Sequence, residues 1–224
     1  IADGVQNVID HPLPLTAALV LLVGVTAVTT GLMDAELQYR QNSVLDPLTG
    51  LLNRGALEAR FAEVAEQARV LERPVCIVMC DLDNFKTVND QHGHERGDVV
   101  LREVSAQMRK SLRSFELFYR LGGEEFLVLL PGIDLPMGIQ IAESLRAVVA
   151  EGKPGGVPIT ASLGVSAAMG DGIDFVSLYR AADEALYRAK DGGRNQVAAA
   201  GLRHSAAPAG APISGSASRR SLAR

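Results

Sequence analysis

Thiols, surplus positive charge and internal repetition are all scarce in this 224-residue chain. Its two cysteines, Cys76 and Cys80, lie in VCIVMCD with no other Cys or His nearby. That excludes a thiolate metal set and predicts a pair of buried, reduced thiols. A net charge of −4 gives no basis for binding a nucleic-acid polymer. No repeat is visible, so one core-bearing domain with extra segments at its ends is the expectation. Lys and Arg are missing before Arg40, which removes the basic leader that a signal peptide requires.

Charge is also missing from residues 13–33, LPLTAALVLLVGVTAVTTGLM. As a helix this stretch rises about 30 Å, the thickness of a bilayer's hydrocarbon core, and it is predicted to span a membrane rather than to form a buried core helix. The first basic residues, Arg40, Arg54 and Arg60, follow it, which orients the C-terminal side to the cytoplasm and the whole to the inner, cytoplasmic membrane. Residues 1–12 read as the end of an upstream segment and 34–45 as a helical linker. A soluble domain is expected over 46–198. Residues 199–224, rich in Ala, Ser, Gly and Pro with four arginines and no acid, are expected to form a disordered basic tail.

Within 46–198 the hydrophobic periods alternate. Residues 54–71 carry helical spacing, whereas 74–80 form a short continuous apolar run, as a central strand does. A helix is predicted over 98–112, then two strand-like runs, FELFYR and EFLVLL, joined at Gly122 and Gly123. Gly-Gly between such runs signals a hairpin, because tight hairpin turns need positive φ. Helices near 136–150 and 174–190 alternate with strands at 158–167 and 196–199. The result is an α+β fold, a mainly antiparallel sheet covered by helices.

Carboxylates then appear where an apolar strand ends. Asp81 and Asp83 in MCDLDNFK share one strand face, with Leu82 opposite. Asp83 is suited to cap the following NFKTVND helix. If the hairpin pairs beside the Asp81 strand, Glu124 or Glu125 comes within reach of Asp81, and the acids repel unless a cation lies between them. Hard oxygen donors favour Mg²⁺, which fills its other positions with water and substrate phosphates. Lys86, Lys190 and Arg194 supply positive charge for such phosphates. On spacing alone, a set of surface salt bridges accounts for the same residues.

Four separated blocks carry a resemblance: DPLTGLLNR at 46–54, DLDNFKTVNDQHGHERGD at 81–98, RLGGEEF at 120–126 and ADEALYRAKDGGRN at 182–195. In order and spacing the chain resembles the GGDEF family of diguanylate cyclases. The resemblance implies a fold related to nucleotide cyclases and polymerase palms. It also implies condensation of two GTP molecules into cyclic di-GMP and two pyrophosphates, with each of two facing protomers of a homodimer holding one GTP. Asp81 and Glu125 would ligate Mg²⁺ or Mn²⁺, two ions per half-site, with help from the Leu82 carbonyl. Glu124 would be a further ligand or the base for the 3′-hydroxyl. Asn89 and Asp98 would read guanine with His94 nearby, and the amides around Asn84 and Phe85 would meet the β and γ phosphates. Lys86, Lys190 and Arg194 would hold the remaining oxygens.

The chain departs from the family at its product-inhibition motif, where RxxD is replaced by Arg113-Ser-Phe-Glu116. The position of a second inhibitory arginine is taken by Ser144, with Arg146 near. Weak or absent product feedback is therefore expected. Asp46, Asp183 and Tyr187 are assigned to packing or capping. The competing functional expectation is a catalytically silent module that binds GTP or cyclic di-GMP.

Overall fold

The computed structural model of the chain describes residues 13–42, 44–114 and 116–200. The segment expected at 1–12, and the tail beyond residue 200, lie outside the described residues. A single helix, α1 (Leu13–Asn42), runs through both the expected span and most of the expected linker.

The membrane expectation is not supported: among the described residues no helix is long and apolar enough to cross a membrane. Side chains of α1 are described over residues 17–33. Three of the threonines in that stretch turn their hydroxyls back onto carbonyls one turn earlier, Thr26 to Leu22, Thr29 to Val25 and Thr30 to Thr26. The membrane partner expected from this segment loses its support with it.

The rest of the chain folds in the order β1 (Leu52–Asn53), α2 (Arg54–Val70), β2 (Val75–Leu82), α3 (Phe85–His92), α4 (His94–Ser111), β3 (Leu117–Gly122), β4 (Glu125–Pro131), α5 (Leu135–Gly152), β5 (Ala161–Ala168), α6 (Phe175–Asp191) and β6 (Val197–Ala199). The strands form one six-stranded sheet in the order β1-β3-β4-β2-β5-β6. Its three inner pairings are antiparallel and its two edge pairings are parallel. The sheet is thus mixed, because β6 rejoins it after the α6 crossover, a connection that brings the chain back in the same direction.

Strand β2 lies at the centre and is buried along its whole length. Its side chains alternate between two cores. Val75, Ile77 and Met79 pack with Leu57 and Phe61 of α2 and Leu178 and Leu186 of α6. Cys76, Val78, Cys80 and Leu82 pack with α3, α4 and α5, including Val88, Val104, Met108 and Leu145. Each large side chain so buried contributes about 1.5–3 kcal/mol, and this two-sided burial is why the sequence reads as an unbroken apolar run. Both cysteines are free and buried, as expected. Burial pushes the Cys76 thiol up to about 12, with the Asp134 charge adding to the effect.

Local chemistry starts the helices where the polar residues stand. Asn53 accepts from the Ala56 amide at the head of α2, Asp134 from Met137 at α5 and Asp174 from Ser177 at α6, each satisfying one of the orphan donors of a helix's first turn. At the hairpin, Gly122 (φ 148°) and Gly123 (φ 51°) take the positive φ that the Gly-Gly pair predicts. Several boundaries shift from expectation. β2 runs on through Asp81 to Leu82, α4 begins at His94 rather than residue 98, and the two-residue β1 has no apolar pattern to announce it. Ala199 closes β6 and the Ala200 amide donates to the Val165 carbonyl, so the tail begins later than residue 199.

Candidate active site

Asp81 stands at the penultimate position of β2, and its antiparallel register sets it directly opposite Glu125, the first residue of β4. Residues facing each other in this way have Cβ atoms about 4.5–5.5 Å apart. The pairing foreseen between strand-end acid and hairpin acid is therefore present. Glu124 lies inside the turn, where its carbonyl accepts from the Leu82 amide at 3.3 Å, tying the tip to the end of β2. Asp81 is 7% exposed, whereas Glu124 is half-buried and Glu125 exposed.

Lys190, in the last turn of α6, places its Nζ 2.8 Å from Asp81 Oδ2. The sequence assigned this lysine to phosphate, and the structure pairs it with the acid. Burial raises the Asp81 pKa above the ordinary carboxylate value. The Lys190 hydrogen bond and charge work against that rise, and the neighbouring charges of Glu124 and Glu125 add to it.

Among the described residues no group of three His, Cys, Asp or Glu side chains is gathered closely enough to hold a metal ion. The expected set of Asp81, Glu124 and Glu125 is therefore not assembled as three side chains. Lys190 supplies the local positive charge, and Glu125 points from an exposed position. The donor chemistry nevertheless fits a hard divalent cation. Asp81 and Glu125 are adjacent oxygen donors, their charges repel, and the one cation on Asp81 is a lysine ammonium that stands where an ion's charge is needed.

Asp83 has a different place. It is 6% exposed and does not cap α3. Asn84 takes the N-cap position in the left-handed region, φ 56° and ψ 28°, without a side-chain cap. The Asp83 carboxylate instead accepts from Thr160 Oγ1 (2.6 Å), Ser162 Oγ (2.7 Å) and the Asn195 amide (3.0 Å). The last of these bonds fixes the turn after α6, in which Gly193 (φ 116°), Arg194 (φ 64°) and Asn195 (φ 45°) all have positive φ. Such a course costs about 1–2 kcal/mol for each non-glycine residue and requires support from its surroundings.

Lys86 and Arg194 are exposed, and the ion pairs found among the described residues use neither of them. Both belong to segments that start at Asp83, Lys86 by sequence and Arg194 through the Asn195 bond. With the uncapped start of α3 they make one end of the sheet receptive to anions.

The expected guanine readers meet at the α3–α4 corner. Asn89, half-buried, presents its side chain against Gly97, where an added Cβ would stand 2.0 Å from Asn89 Oδ1. Asp98 follows Gly97 directly, and His94 opens α4 on the exposed side. Gly97 is a requirement that the sequence pattern did not announce.

Arg120 is a second residue that sequence reasoning passed over. Its NH1 pairs with Asp46 Oδ1 at 2.9 Å, while Nε and NH2 donate to the Gly123 carbonyl at 3.1 and 2.8 Å. Asp46 also accepts from the Thr49 amide and hydroxyl, which bears out its assignment to capping. Burial acts to raise its pKa, but the bonds from Thr49 and Arg120 and the guanidinium charge outweigh burial and hold the carboxyl below the ordinary value. The signal was present in RLGGEEF, whose arginine stands just before the tip.

At the departed inhibitory motif, Glu116 is 3% exposed. Its Oε2 accepts from the Arg113 amide at 2.7 Å, and Arg109 donates to the Glu116 and Arg113 carbonyls. The carboxylate is spent on its own turn. Arg146 is engaged by Glu143 and by Asn195 Oδ1.

A mixed sheet with acids at the end of its central strand and on the adjoining hairpin has the build of a GGDEF domain. A family model described as diguanylate cyclase, GGDEF domain, matches residues 43–196, and the chain belongs to that family. Over 164 residues it is 40% identical to diguanylate cyclase DgcP of Pseudomonas aeruginosa, covering 70% of this chain and 24% of that protein. Over 162 residues it is 39% identical to response regulator PleD of Caulobacter vibrioides, covering 69% and 36%. The chain thus spans about a quarter to a third of these relatives' length. Among solved structures, the GGDEF domain of DgcB from Caulobacter crescentus in complex with c-di-GMP superposes with a TM-score of 0.65 at 31% identity, covering 71% of this chain and 96% of that one. The active GGEEF domain of a diguanylate cyclase from Vibrio cholerae gives 0.64 at 33%, covering 67% and 98%.

Proposed function

We propose that the chain is a diguanylate cyclase, joining two GTP molecules into cyclic di-GMP with release of two pyrophosphates, each of two facing protomers holding one nucleotide. The observation that carries this reading is the register of Asp81 against Glu125, beside Lys86 and Arg194, which form no ion pair among the described residues, and a helix start without a side-chain cap.

In this reading Asn89 and Asp98 engage the Watson–Crick edge of guanine, whose acceptor and donors match an amide and a carboxylate, with Gly97 leaving room for Asn89. The first amides of α3, at Asn84 and Phe85, face the β and γ phosphates, and Lys86 and Arg194 neutralise their outer oxygens. Lys190 leaves Asp81 for the triphosphate when a stronger counter-charge arrives. Asp81, Glu125 and the Leu82 carbonyl would hold Mg²⁺ or Mn²⁺, which supplies activation of the 3′-hydroxyl and neutralisation of charge at the α-phosphate. Glu124 would be a further ligand or the carboxylate that accepts the hydroxyl proton. Arg120 keeps it in position by bracing the tip at Gly123. The two nucleotides come from two protomers, since each chain offers one such set.

The test is incubation of the purified chain with GTP and Mg²⁺, followed by chromatography of the nucleotides. Cyclic di-GMP is expected from wild type and none from Glu125→Gln. GTP recovered unchanged after binding to wild type would instead identify a silent nucleotide receptor.

A further inference from the structure

The Asp83 carboxylate is buried, has no cationic partner among the ion pairs of the described residues, and is not needed by any step above, yet three donors from two separate segments converge on it. Thr160 and Ser162 bring the start of β5 to it, and the Asn195 amide brings the turn after α6. A main-chain bond from the Asp83 amide to the Thr160 carbonyl, 2.8 Å, locks the acid's own backbone to β5. The carboxylate is therefore a fixed point at the sheet end, to which the turn is attached.

That turn needs such an attachment. Three consecutive residues, Gly193, Arg194 and Asn195, follow a positive-φ course, and two of them have side chains. Further bonds hold its two ends, from the Arg194 amide to Ala189 and from Leu163 to the Gln196 carbonyl. Arg146 holds the Asn195 side chain from α5. The Asp83 bond adds a direct tie between the backbone that follows Arg194 and the residue that follows β2.

We propose that Asp83 is a positioning residue for the triphosphate: by accepting the Asn195 amide it keeps the 192–196 turn in its left-handed course and presents Arg194 to the phosphates. This rests on the nucleotide-binding reading given above. Asp83 touches neither the nucleotide nor the reacting atoms. Its removal weakens the grip on phosphate and leaves guanine recognition at Asn89 and Asp98 as it was.

The experiment is calorimetric titration of the full chain with a GTP analogue whose α,β-bridging oxygen is a methylene, and separately with GMP. Asp83→Ala is expected to weaken the triphosphate analogue about tenfold, the worth of one charge-assisted contact, with GMP changed less than about twofold in the same regime of error. Arg194→Ala is expected to do the same, and the double variant to lose no more than either alone, because both remove one contact. Asp83→Asn restores binding, since its amide oxygen still accepts from Asn195 while its NH₂ donates to Ser162. Thr160→Val, which removes only the hydroxyl that shares Oδ2 with that amide, gives a smaller loss in the same direction and serves if Asp83→Ala does not fold. Equal losses for the analogue and GMP, additive losses in the double variant, or wild-type affinity in both Asp83→Ala and Thr160→Val would overturn the assignment. A wild-type chain that binds neither ligand removes the nucleotide reading itself, and this inference with it.

Discussion

Two acids stand two residues apart at the end of β2, and their neighbourhoods are opposites. The region around Asp83 is satisfied, with three donors to its carboxylate and its own amide bonded to Thr160. The region around Asp81 is left in tension, with one lysine to offset burial and two glutamates whose charges oppose it. A fold that can satisfy one carboxylate so fully has the means to satisfy the other. The contrast marks which acid the architecture uses for itself and which it holds ready for something external.

The largest effect that would sharpen this contrast is on turnover. Asp81→Asn and Glu125→Gln are each expected to lower cyclic di-GMP formation by on the order of 10³-fold or more, read by product chromatography. Asp81→Asn should also raise the melting temperature, by roughly 2–4 °C for each kcal/mol relieved, because it removes a charge that the fold holds at a cost. A fall in melting temperature would break the comparison. Asp83→Ala is expected to act the other way, destabilising by about 2–3 kcal/mol as three donors lose their acceptor, measured by urea denaturation.

Acidity separates a second pair of carboxylates by sign. The Asp81 pKa is raised in the fold, so its penalty is present at neutral pH and disappears as pH falls through the folded value. The Asp46 pKa is lowered, so its contribution is present above the ordinary value of 3.8 and is lost as pH falls through the lower folded one. Asp46→Asn should therefore cost about 1 kcal/mol at pH 7 and progressively less below pH 3.8, in chemical denaturation followed across pH. The smallest expected effect concerns product feedback. With Glu116 turned onto the Arg113 amide, titration with cyclic di-GMP should show no saturable micromolar binding that Arg113→Ala abolishes.

What the sequence made legible follows from the range of the contacts involved. Asp81 and the hairpin acids were readable because a strand's end and a Gly-Gly turn are local patterns, and register then had little freedom to place Asp81 elsewhere than opposite Glu125. Asp83 was misread as a helix cap because its true partners lie 77, 79 and 112 residues away. Arg120 was quoted in a motif without a role because its partner Asp46 is 74 residues distant. The two residues of β1 carry too short a pattern to declare themselves, and Gly97 shows its purpose only when Asn89 is packed against it. Residues 13–33 carry no charge, but threonines and glycines dilute their apolar character, and among the described residues no helix is long and apolar enough to cross a membrane.

The Asp46–Arg120–Gly123 connection has one more consequence. Asp46 is only four residues past the end of α1 at Asn42, and Gly123 immediately precedes Glu124 in the turn. A displacement at Asp46 would be felt, two noncovalent links later, at the backbone of the hairpin tip. The segment that follows α1 and the tip of the hairpin, 77 residues apart in sequence, are joined by a single guanidinium.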